Sequence, residues 1–230
     1  MTTATKITLS RIVLIPLIIF FYLSGTFIMN SFFIQYGKLI AVLLFIVAAA
    51  TDWVDGYVAR KYNQISDMGK LLDPIADKML VYTGFILIAV DFAIIHGINS
   101  IIPAWFIVVA FVATLGRDLI VNALRMVASE KGVVIAADNV GKLKSVLQFI
   151  AISLLMFWSF DYMVRVFEYG LLLEIFEYLC IFTLSAATIV CIYSGVNYMV
   201  QYKHVFADPS AEPKEKKNWE EKINKNNEEE

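Results

Sequence analysis

An all-α polytopic membrane protein with six spanning helices is the architecture that the sequence predicts, and three observations predict it. Of 230 residues, 59% are hydrophobic and only 17% charged, and the mean hydropathy is +0.69, far from the range of soluble domains. The apolar residues gather into six runs, each long enough to cross about 30 Å of hydrocarbon. Lys and Arg alternate in density along the connections: two before the first run, four around the second connection, five around the fourth and six after the last, against one each at the first and fifth. The positive-inside rule makes the rich side cytoplasmic, so both termini are expected there.

The runs follow in order. Ile12–Met29 opens the chain; no convincing small-residue cleavage site stands near Ser24 or Gly25, so it is expected to be retained. Leu39–Tyr57 and Leu71–Ile95 flank a short charged connection, and Ile101–Val121, Val146–Val164 and Leu171–Val200 complete the six. Residues 1–202 are therefore expected to form one membrane domain. External connections such as His96–Ser100 and Asp161–Glu168 hold no cluster suited to chemistry. Cys180 and Cys191, eleven residues apart in one run, cannot reach each other on a helix and are read as packing residues. After Tyr202 the mixed charges cannot build a core, so 203–230 is expected to be a disordered cytoplasmic tail. The net charge of −2 shows no basic footprint, which argues against nucleic acid as a partner.

Thr51 to Leu80 is the stretch whose charges need a cause. It carries Asp52, Asp55, Asp73 and Asp77. Carboxylates at membrane depth cost several kcal/mol each unless paired, hydrated or bound to a cation, and so mark a functional site. On helices, spacings of three and four put each pair on one face. The short connection makes the two helices antiparallel neighbours, so the pairs face each other near the cytoplasmic surface. With only oxygen donors and no His or Cys nearby, the set favours Mg²⁺ or Mn²⁺ over zinc. An oxygen-lined two-metal site suits displacement at phosphorus, because the ions can hold phosphate oxygens and neutralise the leaving group. Gly56 and Gly69 stand one turn from Asp52 and Asp73, where close approach or, with Ala59, tight helix packing accounts for small residues. Arg60 offers a fork suited to phosphate, although arginine at such a helix end also anchors topology.

Asp52-x2-Asp55-Gly56-x2-Ala59-Arg60-x8-Gly69-x3-Asp73-x3-Asp77 resembles, without departure, the signature of the CDP-alcohol phosphatidyltransferase family. The resemblance implies a six-helix membrane enzyme, usually a homodimer, that moves a phosphatidyl-type group from a CDP-linked donor to an alcohol and releases CMP. It implies that Asp52, Asp55 and Asp73 ligate two divalent ions, with Asp77 contributing to that site and acting as general base. It further implies that Gly56, Ala59 and Gly69 leave room for the cytidine nucleotide beside Asp55 and Asp73, and that Arg60 supports its binding.

Lys6–Ile12, Gly116-Arg117-Asp118 through Arg125, and Gly141–Ser145 resemble the branch of that family that makes phosphatidylglycerophosphate in bacteria. In that branch the residue after Arg117 is often glutamate, where this chain has Asp118. The branch implies CDP-diacylglycerol as donor, glycerol 3-phosphate as acceptor, and a site at the cytoplasmic face of the cell membrane. The acceptor's phosphate needs cations of its own, and Arg117, Arg125 and Lys142 are the expected binders, with Lys144 equally well explained as a topology charge. Phosphatidylglycerol, inositol phosphate or serine as acceptor would mark a sister activity. A divalent-cation transporter would also use intramembrane carboxylates, but on several helices at mid-membrane, and no pair of broken apolar segments supports it.

Overall fold

Apolar sequence of this length leaves the backbone no partner but itself, and α-helix satisfies every internal N–H and C=O within one segment. The computed structural model describes residues 3–28, 31–62, 67–96, 102–130, 139–159 and 170–202. Six α-helices account for most of them: α1 (Thr3–Phe27), α2 (Ser31–Tyr62), α3 (Asp67–Asp91), α4 (Ala104–Glu130), α5 (Asn139–Trp158) and α6 (Gly170–Gln201). A π-helical turn, Phe92–His96, comes directly after α3, and no strand occurs among the described residues. The protein is thus all-α, as the apolar runs predict.

Among the described residues, three helices contain stretches long and apolar enough to cross a membrane: Ser31–Thr51, Ala104–Ser129 and Glu174–Gln201. Shorter apolar stretches, Leu9–Ser24 and Leu143–Trp158, lie in α1 and α5. The helices overrun the expected spans. α2 begins eight residues before Leu39, taking in the mixed stretch Ser31–Lys38 with its Phe32, Phe33, Ile34 and Tyr36, and α4 continues past Val121 to Glu130. Residues 203–230, expected to be a tail, lie outside the described residues.

The chain divides into two compact units. One comprises Met1–Val112 with Ser145–Thr188, the other Ala113–Lys144 with Ile189–Glu230. In the first, Ile15, Ile18 and Tyr22 of α1, Ala41, Phe45 and Ala48 of α2, and Leu80, Phe85 and Ile88 of α3 form one core with residues of α4, α5 and α6. Their spacings of three and four residues are those of single helix faces. α1 and α2 touch closely at Gly37, where a Cβ would lie 2.7 Å from the Phe21 carbonyl oxygen. Large apolar side chains also point outward, among them Phe182 (70% exposed) and Trp105 (66%). Such surface suits hydrocarbon rather than water. In α6 the hydroxyls of Thr183, Ser185 and Thr188 bond back to carbonyls of the preceding turn, which satisfies them within the helix.

The end of the first unit away from the aspartates holds a buried polar cluster. Lys38 Nζ donates to Asp91 Oδ1 at 2.8 Å, to the Ser159 carbonyl at 2.9 Å and to Ser159 Oγ at 3.0 Å. Ser159 Oγ donates to the other Asp91 oxygen and accepts from Tyr22 OH at 3.1 Å. The Tyr22 ring lies 5.6 Å from the ammonium. The cluster joins α1, α2, α3 and the end of α5, where the sequence showed only scattered polar residues.

Candidate active site

Asp52, Asp55, Gly56, Ala59 and Arg60 stand on the last turns of α2; Gly69, Asp73 and Asp77 stand on the first turns of α3. The Lys38–Asp91 pair ties the start of α2 to the end of α3 and thereby fixes how the helices count against each other. Asp52 lies fourteen residues after Lys38 and Asp77 fourteen before Asp91, about 21 Å of helix in each case. Asp55 and Asp73 lie seventeen and eighteen residues from the same pair. By residue count, the aspartate positions of the two helices thus stand at similar distances along their helices from that pair.

Asp77 is half-buried, with Oδ1 withdrawn from solvent, between the enclosed Ala76 and Leu80. The side chains of Asp52, Asp55, Arg60 and Asp73, and the surroundings of Gly56, Ala59 and Gly69, lie outside the described residues. Among the described residues no group of three or more His, Cys, Asp and Glu stands ready for a metal. Arg11 of α1 is almost completely enclosed, at 1% exposure, in the same unit. Its sequence position suggests an ordinary cytoplasmic anchor; burial of so large a cation is the signal that sets it apart.

The expected phosphate-binding cations Arg117 and Arg125 fall in the second unit, as does the position of Lys142. Arg117 of α4 donates from Nη2 to Ser194 Oγ of α6 at 2.7 Å and from Nη1 to Asp118 Oδ1 at 3.2 Å. Asp118 Oδ1 also receives Lys144 Nζ of α5 at 2.5 Å. Lys144 is only 4% exposed and committed to that carboxylate, so it is neither a simple topology charge nor a group open to solvent. Arg117 Nε is buried and has no hydrogen-bond partner among the described residues. Arg125, two turns along α4, is exposed, and its Nε and Nη2 meet Tyr198 OH at 3.3 and 2.9 Å. The side chain of Lys142 lies outside the described residues.

The structure therefore brings Arg117 together with Asp118, Lys144 and Ser194, and gives Arg125 its own support in Tyr198. Ser194 and Tyr198 were missed by sequence reasoning, since the motifs quoted for the resemblance end at Ser145. Their one-turn spacing on α6 was the signal available, and it acquires meaning only beside α4. Among the described residues the set carries one carboxylate against the cations of Arg117 and Lys144, an excess of positive charge that suits an anion.

A family model described as CDP-alcohol phosphatidyltransferase matches residues 1–190. The chain is 40% identical over 155 residues to the CDP-diacylglycerol–glycerol-3-phosphate 3-phosphatidyltransferase of Bacillus subtilis, a match that covers 66% of this chain and 74% of that protein. It is 33% identical to the Escherichia coli K12 protein of the same name, over 66% of this chain and 75% of the other. Identity to an Arabidopsis thaliana protein of that name, numbered 2, is also 33%, over 67% of this chain and 64% of the relative.

Proposed function

The chain belongs to the CDP-alcohol phosphatidyltransferase family, and from that premise we propose that it transfers the phosphatidyl group of CDP-diacylglycerol to glycerol 3-phosphate, releasing CMP. The observation that carries this reading is the unbroken Asp52-to-Asp77 signature inside a chain whose relatives are named for that reaction. The similar residue counts from the Lys38–Asp91 pair to the aspartates of α2 and α3 support it.

Asp52, Asp55, Asp73 and Asp77 form an all-oxygen donor set that fits two Mg²⁺ or Mn²⁺ ions. When bound, such ions supply charge neutralisation at the donor's diphosphate and at the departing CMP. Asp55, Gly56, Ala59, Gly69 and Asp73 line the proposed CDP-diacylglycerol site, the small residues leaving room for the nucleotide against the helices and Arg60 supporting it. Asp77 takes the proton of the acceptor hydroxyl. That oxygen then forms a bond to the diacylglycerol-bearing phosphorus as the phosphorus–oxygen bond to CMP breaks. Arg117, Arg125 and Lys142 hold the acceptor's own phosphate.

The membrane arrangement belongs to the same reading: six spans in the cell membrane, both termini and the active site on the cytoplasmic side, and a homodimer. The apolar helices and the bias of Lys and Arg support the topology. The test is CMP release by the purified protein supplied with CDP-diacylglycerol, Mg²⁺ and a panel of alcohols. Turnover with glycerol 3-phosphate, abolished by chelation and reduced at least about 10³-fold in Asp77→Asn, is the expected result. Turnover only with phosphatidylglycerol, inositol phosphate or serine would assign the chain to a sister activity.

A further inference from the structure

Arg117 has five N–H donors, and the described residues take two of them, through Ser194 and Asp118. What holds the guanidinium is unusual for its chemistry. Ser194 is 1% exposed, so its hydroxyl is fixed by packing and spends itself on Nη2 at 2.7 Å. The next residue, Gly195, passes directly beneath the arginine stem: a Cβ there would lie 2.9 Å from Arg117 Cγ, closer than side-chain carbons approach. From the other side Asp118 meets Nη1, and Lys144 at 2.5 Å fixes that carboxylate in turn. The stem, one edge and the second edge of the fork are thereby set by three separate groups, while Nε remains unbonded among the described residues.

A cation required only for topology needs no such aim; Arg125 on the same helix, exposed and resting on Tyr198, is held more loosely than Arg117. We propose that Ser194 and Gly195 of α6 form a seat that aims the Arg117 fork at a phosphomonoester, and are positioning residues for the phosphate of the acceptor. The inference rests on the reading of Arg117 as an acceptor ligand, and adds to it Ser194 and Gly195, which lie beyond the residues that the family model matches. The seat acts on orientation. A fork matched to phosphate forms two parallel hydrogen bonds only if its plane is correctly turned.

The experiment measures CMP release by the purified full-length protein against glycerol 3-phosphate at saturating CDP-diacylglycerol, and calorimetric binding of glycerol 3-phosphate without donor. Ser194→Ala, which removes the bond to Nη2, and Gly195→Ala, which displaces the stem, are each expected to raise KM for glycerol 3-phosphate about tenfold and weaken binding in parallel. KM for CDP-diacylglycerol should stay within about twofold, and Ser194→Thr, which keeps the hydroxyl, should recover most of the loss. If Arg117→Ala raises KM for glycerol 3-phosphate while both α6 variants leave it unchanged, the seat is overturned and Arg117 keeps its role. If Arg117→Ala leaves that KM unchanged, the acceptor reading of Arg117 falls and the seat falls with it. Equal changes in KM for both substrates would also overturn the seat, since they would signal general disruption.

Discussion

Among the described residues, the buried polar clusters around Asp91 and Arg117, one in each unit, are built on opposite plans. Around Asp91 the donors are matched: Lys38 uses all three N–H groups, and Ser159 Oγ accepts two hydrogen bonds while donating one. Among the described residues, Arg117 keeps a buried Nε–H without a hydrogen-bond partner. Burying polar groups is tolerable when each is satisfied, so the closed cluster needs no purpose beyond holding α1, α2, α3 and α5 together. An open cluster of surplus cations retains capacity for an anion. Completeness of hydrogen bonding therefore separates the two, where burial and charge alone do not.

The contrast can be broken most sharply at Lys38. Lys38→Met removes one partner of a buried pair and leaves Asp91 to face apolar surroundings, a loss of about 3–5 kcal/mol. Thermal unfolding in detergent should show Tm lower by about 10 °C, with KM for glycerol 3-phosphate within about twofold of the native value. A rise in that KM without loss of Tm would erase the distinction between the clusters. Asp118→Asn tests the open side with a smaller effect. It removes the charge that Lys144 and Arg117 share, and should lower kcat/KM for glycerol 3-phosphate about tenfold, visible in CMP release, with a Tm change under about 5 °C. The smallest expected effect is at Arg125, exposed and held through Tyr198: Arg125→Ala should raise the acceptor KM about threefold, and Tyr198→Phe less than that.

Most of the helical architecture was legible in the chain because apolar length is a local property. The same holds for the aspartate signature, whose spacings of three and four residues make sense on a helix before any partner is known. Partnerships across the chain carry no such local trace. Lys38 and Asp91 are 53 residues apart and Lys38 and Ser159 are 121 apart, so nothing in sequence announces that they share one cluster. Lys142 and Lys144 look alike in the sequence, yet the burial of Lys144 against Asp118 is a fact of packing. Asp118 itself, noted only as a departure from the more frequent glutamate, is the carboxylate on which two cations converge.

The Lys38–Asp91 pair also makes chain length a fixed dimension of the molecule. Equal stretches of helix run from it to Asp52 and to Asp77, so the pair serves as a common origin for two rulers. One residue inserted between Lys38 and Asp52 would turn the α2 aspartates by about 100° and slide them about 1.5 Å. A matching insertion in α3 would restore the level but not the facing. Both are recovered together only by paired changes of about seven residues, two helical turns in each helix. Deletions and insertions in these two segments should therefore be tolerated in matched pairs or not at all, although neither segment contains a residue assigned to the chemistry.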